Sequence, residues 1–200
     1  MYMNDKVILV DCDGVLCNWE YAFCCWMEQR GFTQIENGNH EYDIAARFGI
    51  TKEHGKQLVK VFNESAAIGF LPALRDAMYY VKRLHEEHGY VFHCITSLSL
   101  DENAGKLREM NLKKLFGNTA FENIICLDTG ADKDEILVTY EGTGCYWVED
   151  KLDNAVCGLQ FGLKPILIEH GFNMNDELPE GIIKVVNWKE IYELITGEKV

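Results

Sequence analysis

Basic residues are scarce in this chain of 200 residues: 19 lysines and arginines are outnumbered by 32 aspartates and glutamates, and the formal net charge is −13. Such an acidic chain is a poor partner for the phosphate backbone of duplex nucleic acid, so we expect no role in duplex binding. The sequence also lacks a signal peptide and an apolar run long enough to cross a bilayer, which predicts a cytoplasmic protein without a membrane partner. It contains no repeats and no low-complexity segments.

Eight cysteines are scattered along the chain, and none has the spacing of a zinc site. Several fall within apolar segments, among them Cys94, Cys126 and Cys145, which favours the reduced, buried thiols of a cytosolic protein. Cys12 lies between two aspartates, and strand alternation predicts that its side chain points into the core, opposite Asp11. We therefore expect the cysteines to serve in packing.

Apolar strands and amphipathic helices alternate through most of the chain, and a hydrophobic content of 48% is enough for one sizeable core. After an opening strand at 7–10, the pattern predicts strands at 90–95, 123–127, 145–148, 165–168 and 182–186. It predicts helices from Pro72 to about residue 88, and at 102–115, 133–138, 154–161 and 189–195. This alternation predicts an α/β fold, a Rossmann-like and mainly parallel sheet with helices on both faces.

Residues 17–71 interrupt that alternation. They contain predicted helices at 18–30, 42–48 and 52–62 but no predicted strand, and they are too many for a simple crossover connection. We therefore expect a small helical cap here, inserted between two parts of an α/β core formed by residues 1–16 and 72–200.

The opening strand ends in two carboxylates. The apolar run Val7–Val10 leads directly into Asp11 and Asp13, and Gly14 allows the chain to turn sharply after them. Because carboxylates are costly to desolvate, a pair packed at the end of a buried strand needs a cation between them. A hard, oxygen-seeking ion such as Mg²⁺ suits that arrangement.

Three further polar groups follow later strands or stand in a polar loop. They are the hydroxyl pair Thr96 and Ser97, the loop residue Lys133, and the acidic group Glu149, Asp150 and Asp153. In parallel sheets, ligands bind beyond the carboxyl ends of the strands. We therefore expect these groups to meet the two aspartates of the first strand at one edge of the sheet.

The order of these groups resembles the four motifs of the haloacid dehalogenase (HAD) superfamily. The first motif is Asp-x-Asp-Gly-Val-Leu, which begins at Asp11, and the resemblance spans roughly residues 6–168. Within it, residues 11–20 and 149–153 are similar to the 5′-deoxyribonucleotidases, the C-type 5′-nucleotidases. The resemblance implies an Mg²⁺-dependent phosphoric monoester hydrolase with a small phosphomonoester as its substrate.

The resemblance also implies a role for each motif residue. Asp11 is expected to be the nucleophile that forms an aspartyl-phosphate, and Asp13 the acid and base that protonates the leaving oxygen and then activates water. Asp11 and Asp150 are expected to supply metal carboxylates, and Asp13 its backbone carbonyl. Thr96 is expected to bind a phosphoryl oxygen, and Lys133 to neutralise both the nucleophile and the transferring group.

Several assignments have a rival in the sequence. Ser97 could serve in place of Thr96 or bind substrate beside it, and Lys151 is a rival to Lys133. Glu149 could replace Asp150 at the metal. We assign the metal to Asp150, and we expect Glu149 and Asp153 to orient water or Lys133.

The substrate is the least specified part of this interpretation. In the nucleotidases that the chain resembles, an aromatic residue eight positions after the nucleophile stacks on the base, and Trp19 occupies that position here. Tyr42 and Phe48 could supply another wall. Stacking would favour (deoxy)nucleoside monophosphates. The alternatives are another small phosphomonoester, such as a sugar phosphate or a nucleic-acid 3′-phosphate, and a non-catalytic phosphate-binding module on the same fold. The sequence indicates no oligomeric state.

Overall fold

Six parallel strands form the central sheet of the computed structural model, which describes residues 6–200. In chain order they are β1 (Val7–Val10), β2 (Val91–Thr96), β3 (Phe121–Cys126), β4 (Tyr146–Glu149), β5 (Lys164–Ile168) and β6 (Ile183–Val185). Their order across the sheet is β3-β2-β1-β4-β5-β6, and every neighbouring pair is parallel. The predicted α/β, Rossmann-like fold is confirmed.

Strand β1 lies between β2 and β4. Its last residue, Val10, is paired with Cys94 of β2 and with Val148 of β4. All four residues of β1 are buried, as expected for a continuous apolar run in a sheet covered on both faces. The chain positions that follow β1, β2 and β4 therefore lie side by side at one edge of the sheet.

Eight α-helices accompany the sheet in the described part of the chain. They are α1 (Trp19–Glu28), α2 (Ile44–Phe48), α3 (Lys52–Asn63), α4 (Ala77–Glu86), α5 (Glu102–Phe116), α6 (Asp134–Leu137), α7 (Leu152–Gln160) and α8 (Trp188–Thr196). Local caps fix several starts, since the side chains of Asn18, Asp43 and Thr51 accept hydrogen bonds from the first turns of α1, α2 and α3. Within residues 6–200, every helix is too short or too polar to span a bilayer.

The helix predicted to start at Pro72 begins later, at Ala77. Residues around Pro72 run beside the chain that leaves β1: the Pro72 carbonyl accepts a hydrogen bond from the Asn18 amide, and Ala73 forms a β-bridge with Cys17. This pairing holds the residues around Pro72 in an extended conformation. The helix predicted from the apolar spacing that begins at Leu74 therefore starts later than expected. The contact also joins the two ends of the segment 17–71.

The segment 17–71 contains α1, α2, α3 and two short 3-10 helices, Gly38–His40 and Ala66–Phe70. Aromatic side chains hold it together: the ring of Phe23 packs edge-on against Phe62 and Phe48, and Trp26 packs against Phe62. Its division from the rest of the chain as a cap stays a prediction. Residues 1–5 of the predicted core segment lie outside the described residues.

Candidate active site

Lys133 is buried at the edge of the sheet where β1 and β4 end. Its Nζ lies 2.9 Å from Oδ1 of Asp11 and 2.7 Å from Oε1 of Glu149, and only 2% of its side chain is exposed. Burial opposes the charged form of the lysine, but the two carboxylates outweigh it and raise the pKa of Lys133. The ammonium is therefore charged beside Asp11. The rival Lys151 is half-exposed, and its Nζ lies 3.8 Å from Asp153.

Glu149 fixes the geometry around Lys133. Its Oε1 accepts hydrogen bonds from Lys133 Nζ and Asn154 Nδ2, at 2.7 and 2.5 Å, and its Oε2 accepts from the backbone amides of Asp150 and Lys151, at 2.6 and 2.9 Å. Burial disfavours its charge, but Lys133 and these donors outweigh burial and lower the pKa of Glu149. Both carboxylate oxygens of Glu149 thus accept hydrogen bonds from the protein, which leaves Asp150 as the carboxylate that is more available to bind a cation.

Asp11, Glu149 and Asp150 form a buried acidic cluster, in which one carboxylate oxygen from each lies within 4.8 Å of the others. Burial raises the pKa of Asp11 to about 8, and burial together with the charges of Glu149 and Asp11 raises the pKa of Asp150 well above its usual range. One lysine does not balance three carboxylates. A divalent cation between Asp11 and Asp150 would offset the remaining charge, and an all-oxygen donor set fits Mg²⁺.

Gly14 brings the first and last motifs into contact. Its φ is +82°, and a Cβ atom built there would lie 2.0 Å from Oδ2 of Asp150. Only glycine leaves room for that carboxylate while holding the left-handed turn. His170 lies two residues after the end of β5, and its ring Nε2 donates a hydrogen bond of 2.7 Å to the Gly14 carbonyl, which supports the turn.

The two hydroxyls after β2 differ in their partners. Thr96 is fully buried and lines the cavity at the sheet edge, and its Oγ1 has no hydrogen-bond partner among residues 6–200. The Oγ of Ser97, in contrast, donates to the Ala131 carbonyl at 2.7 Å and so holds the loop that carries Lys133. The geometry thus leaves the Thr96 hydroxyl available for a ligand, whereas that of Ser97 is used within the protein.

Arg108 is a buried partner of Asp13 that the sequence interpretation missed. It lies on α5 with no exposed surface, and its Nη2 donates to Oδ2 of Asp13 at 2.7 Å. Its Nη1 lies 2.7 Å from Sγ of Cys12, whose side chain is buried in the core as predicted. Burial raises the pKa of Asp13 to about 6, although Arg108 opposes the rise. The sequence feature that could have revealed this partner is an arginine on the buried face of α5, four residues after Ala104.

The structure differs from the prediction at Asp153. Its side chain is 85% exposed, at the first turn of α7, and its closest charged neighbour is Lys151. The neighbouring residue on the helix, Asn154, points inward and donates to Glu149 instead. The predicted contact of Asp153 with Lys133 was therefore wrong, because the first turn of α7 turns residue 154 and not residue 153 toward the sheet. Its predicted role in orienting water stays a prediction.

A cavity of about 700 Å³ lies between this edge of the sheet and the helices of the segment 17–71. Trp19 lines it, with one ring face stacked on Phe23 at 4.6 Å between centroids. Its Nε1 donates to Oδ1 of Asn63 at 2.9 Å. Tyr42, one of the two residues suggested for a second wall, also lines the cavity, whereas the other, Phe48, is buried against Phe23 away from the cavity lining.

No protein-family profile matches this chain. An uncharacterised 32.4 kDa protein of Enterobacteria phage T4 is 24% identical over 134 residues, a match that covers 64% of this chain and 47% of the phage protein. The chain thus spans about half the length of this relative.

Solved structures show the fold. A hydrolase of the haloacid dehalogenase-like family from Streptococcus pneumoniae superposes with a TM-score of 0.65 at 15% identity, over 96% of this chain and 98% of that one. A D,D-heptose 1,7-bisphosphate phosphatase from B. bronchiseptica, complexed with magnesium and phosphate, has a TM-score of 0.61 at 16% identity, over 97% and 99%. A predicted phosphatase from Clostridium acetobutylicum also has a TM-score of 0.61, at 12% identity over 96% and 99%. The chain therefore has the haloacid dehalogenase fold.

Proposed function

We propose that this protein is an Mg²⁺-dependent phosphomonoester hydrolase that works through an aspartyl-phosphate on Asp11. The observation that carries the proposal is the buried Lys133, which touches Asp11 on one side and Glu149 on the other. A dianionic ester repels a carboxylate nucleophile, so a site for phosphoryl transfer needs fixed positive charge beside the nucleophile. The hydroxyl of Thr96, which no other group of residues 6–200 binds, and the carboxylate of Asp150 lie around the same cavity.

In the first half of the proposed reaction, a carboxylate oxygen of Asp11 attacks phosphorus. The new O–P bond forms as the ester P–O bond breaks, and Asp13 gives its proton to the leaving oxygen. Arg108 binds Oδ2 of Asp13, whereas Oδ1 has no hydrogen-bond partner in the described part of the chain and is the oxygen that would carry this proton. Lys133 and the Thr96 hydroxyl would bind the phosphoryl oxygens while their charge is redistributed.

In the second half, Asp13 takes a proton from water, which attacks phosphorus and releases inorganic phosphate and free Asp11. When bound by Asp11, Asp150 and the backbone carbonyl of Asp13, Mg²⁺ would supply positive charge for the phosphoryl group. Glu149 would act only through its hydrogen bond to Lys133, as a positioning residue.

For the substrate, we propose a (deoxy)nucleoside monophosphate. The cavity is in the size range of small-molecule sites, and Trp19 lies on its wall with one face already covered by Phe23. Residues 17–71 would then be a cap that excludes water and contacts the leaving group. The cytoplasmic location stays a prediction from the sequence.

A panel of phosphomonoesters tests this proposal. Phosphate release is measured with Mg²⁺ and with EDTA, for the wild type and for Asp11→Asn, with circular dichroism to show that the variant is folded. We expect release only with Mg²⁺, a loss of several orders of magnitude in the variant, and a preference for nucleoside monophosphates of at least about tenfold over sugar phosphates. Failure to hydrolyse any ester would overturn the hydrolase, and a smaller preference would overturn the nucleotide substrate alone.

A further inference from the structure

Helix α3 turns a row of lysines toward the cavity. Lys52, Lys56 and Lys60 line it together with Gly55, Val59 and Asn63, so the spacing of the lysines is one lysine for each turn on one face. The rise of an α-helix sets successive lysines about 6 Å apart along the axis. Gly55 and Asn63 on this face are buried, whereas Lys52, Lys56 and Lys60 line the cavity and are also exposed to solvent.

The cavity is unusual in its charge balance. Six of its lining residues are basic and six are acidic, whereas acidic residues outnumber basic ones by 32 to 19 in the whole chain. Two of the basic side chains are already paired across short distances, Lys133 with Asp11 and Arg47 with Glu20. Among the lining residues of the segment 17–71, four are basic and two are acidic, and three of those four basic residues lie on α3.

The lysines of α3 have few counter-charges. Within residues 6–200, Lys52 and Lys56 have no carboxylate within 4 Å, and Lys60 has only Glu64, at 3.9 Å. Three like charges on adjacent turns of one helix repel one another, which is unfavourable unless an anion is present. Because these charges open into the same cavity as Asp11, a ligand that reaches both ends would meet them.

We propose that the substrate carries a second phosphoryl group, on its leaving-group side, that binds to Lys52, Lys56 and Lys60. This inference rests on the proposed hydrolase activity, in which the first phosphoryl group lies against Asp11 and Lys133. Within the proposed nucleotide class, nucleoside monophosphates would then be hydrolysed, and a nucleotide with a second phosphoryl group, such as a nucleoside bisphosphate, would be preferred over them. Lysine is suited to this role because its ammonium binds phosphate as a flexible point charge.

Matched pairs of esters test the inference. The pairs are a nucleoside 5′-monophosphate with its 3′,5′-bisphosphate, and glucose 1-phosphate with glucose 1,6-bisphosphate. The variant is Lys52→Gln with Lys56→Gln and Lys60→Gln. The control is Lys106→Gln with Lys114→Gln and Lys199→Gln, which removes the same charge from three exposed positions outside the cavity. Phosphate release gives kcat/KM, and calorimetric titration of the same ligands into Asp11→Asn proteins with Mg²⁺ gives affinities without turnover.

We expect the wild type and the control to prefer the bisphosphate of at least one pair by about tenfold or more, in kcat/KM and in affinity. The α3 variant should lose that preference, so that the ratio falls toward one. Turnover of monoesters with an equal ratio in all three proteins would overturn the inference and leave the hydrolase intact. A lysine-dependent preference in affinity, with no turnover of any ester, would support the second phosphate site and overturn the hydrolase.

Discussion

Replacing Gly14 with alanine perturbs the contact between the two ends of the candidate site. A Cβ atom at this position would lie 2.0 Å from Oδ2 and 2.7 Å from Cγ of Asp150, distances at which the carboxylate must move. Gly31 provides a matched control, because its φ of +84° is almost that of Gly14 but a Cβ there meets nothing within 4 Å. Both substitutions therefore impose the same backbone strain, but only Gly14→Ala also creates a steric clash with Asp150.

The expected magnitudes follow from these two contributions. A left-handed conformation costs a non-glycine residue about 1–2 kcal/mol, so Gly31→Ala should lower the free energy of unfolding by about that amount. Gly14→Ala carries the same strain, and the forced repacking around Asp150 adds about 1–3 kcal/mol. Displacing a metal carboxylate by about 1 Å should also reduce phosphate release by about 100-fold, whereas Gly31→Ala should keep the parental rate.

Urea unfolding followed by circular dichroism, with phosphate release measured on the same proteins, checks this prediction. The experiment is repeated in an Asp150→Ala background, in which the atoms closest to the added Cβ are gone. There, the difference in stability between Gly14→Ala and Gly31→Ala should shrink toward zero. Equal stability of the two single variants, or a difference that survives in the Asp150→Ala background, would refute the packing described for Gly14.

Three further predictions concern the same edge of the sheet. Arg108→Met should destabilise the protein by about 1–3 kcal/mol in urea unfolding because the Asp13 side chain, which is only 22% exposed, loses its charged hydrogen-bond partner, and Asp13→Asn should recover part of that loss; no recovery would contradict the pairing. Thr96→Val should leave stability unchanged, since the hydroxyl has no hydrogen-bond partner to lose within residues 6–200, while phosphate release falls about tenfold or more; a large loss of stability would contradict this expectation. Without metal, stability should fall as the pH rises from about 4 to about 8 and then level off, because burial raises the pKa of Asp13 to about 6 and that of Asp11 to about 8 in the folded state, whereas both carboxyls ionise at about pH 4 in the unfolded chain. Mg²⁺ should therefore raise the melting temperature more at pH 8 than at pH 5, and an equal rise at both would argue against a cation at these carboxylates.

The sheet and most of the polar residues at its edge could be predicted because each signal is local. The apolar run of β1 and the alternation after residue 90 define the strands, and parallel pairing then puts Asp11, Thr96 and Glu149 at neighbouring strand ends. Lys133 was predicted only from its position between motifs. Its burial depends on two carboxylates from other strands, which no local pattern reveals.

Other features depend on contacts between distant segments. Pro72 has the sequence of a helix start, but pairing of its segment with the chain after β1 holds it extended. Arg108 lies on a buried stripe where an arginine is unexpected, and only its contact with Asp13 explains it. Asp153 and Asn154 are equivalent candidates until the orientation of α7 is known.

The central claim is that Asp11 accepts the phosphoryl group. The most direct measurement is an acid quench of the reaction with a radiolabelled phosphomonoester and Mg²⁺, followed by peptide mapping of the denatured protein. We expect label on the peptide that contains Asp11, with an acid-stable, base-labile linkage, and no label in Asp11→Asn. Label on another residue, or steady release of phosphate by Asp11→Asn at the parental rate, would contradict it.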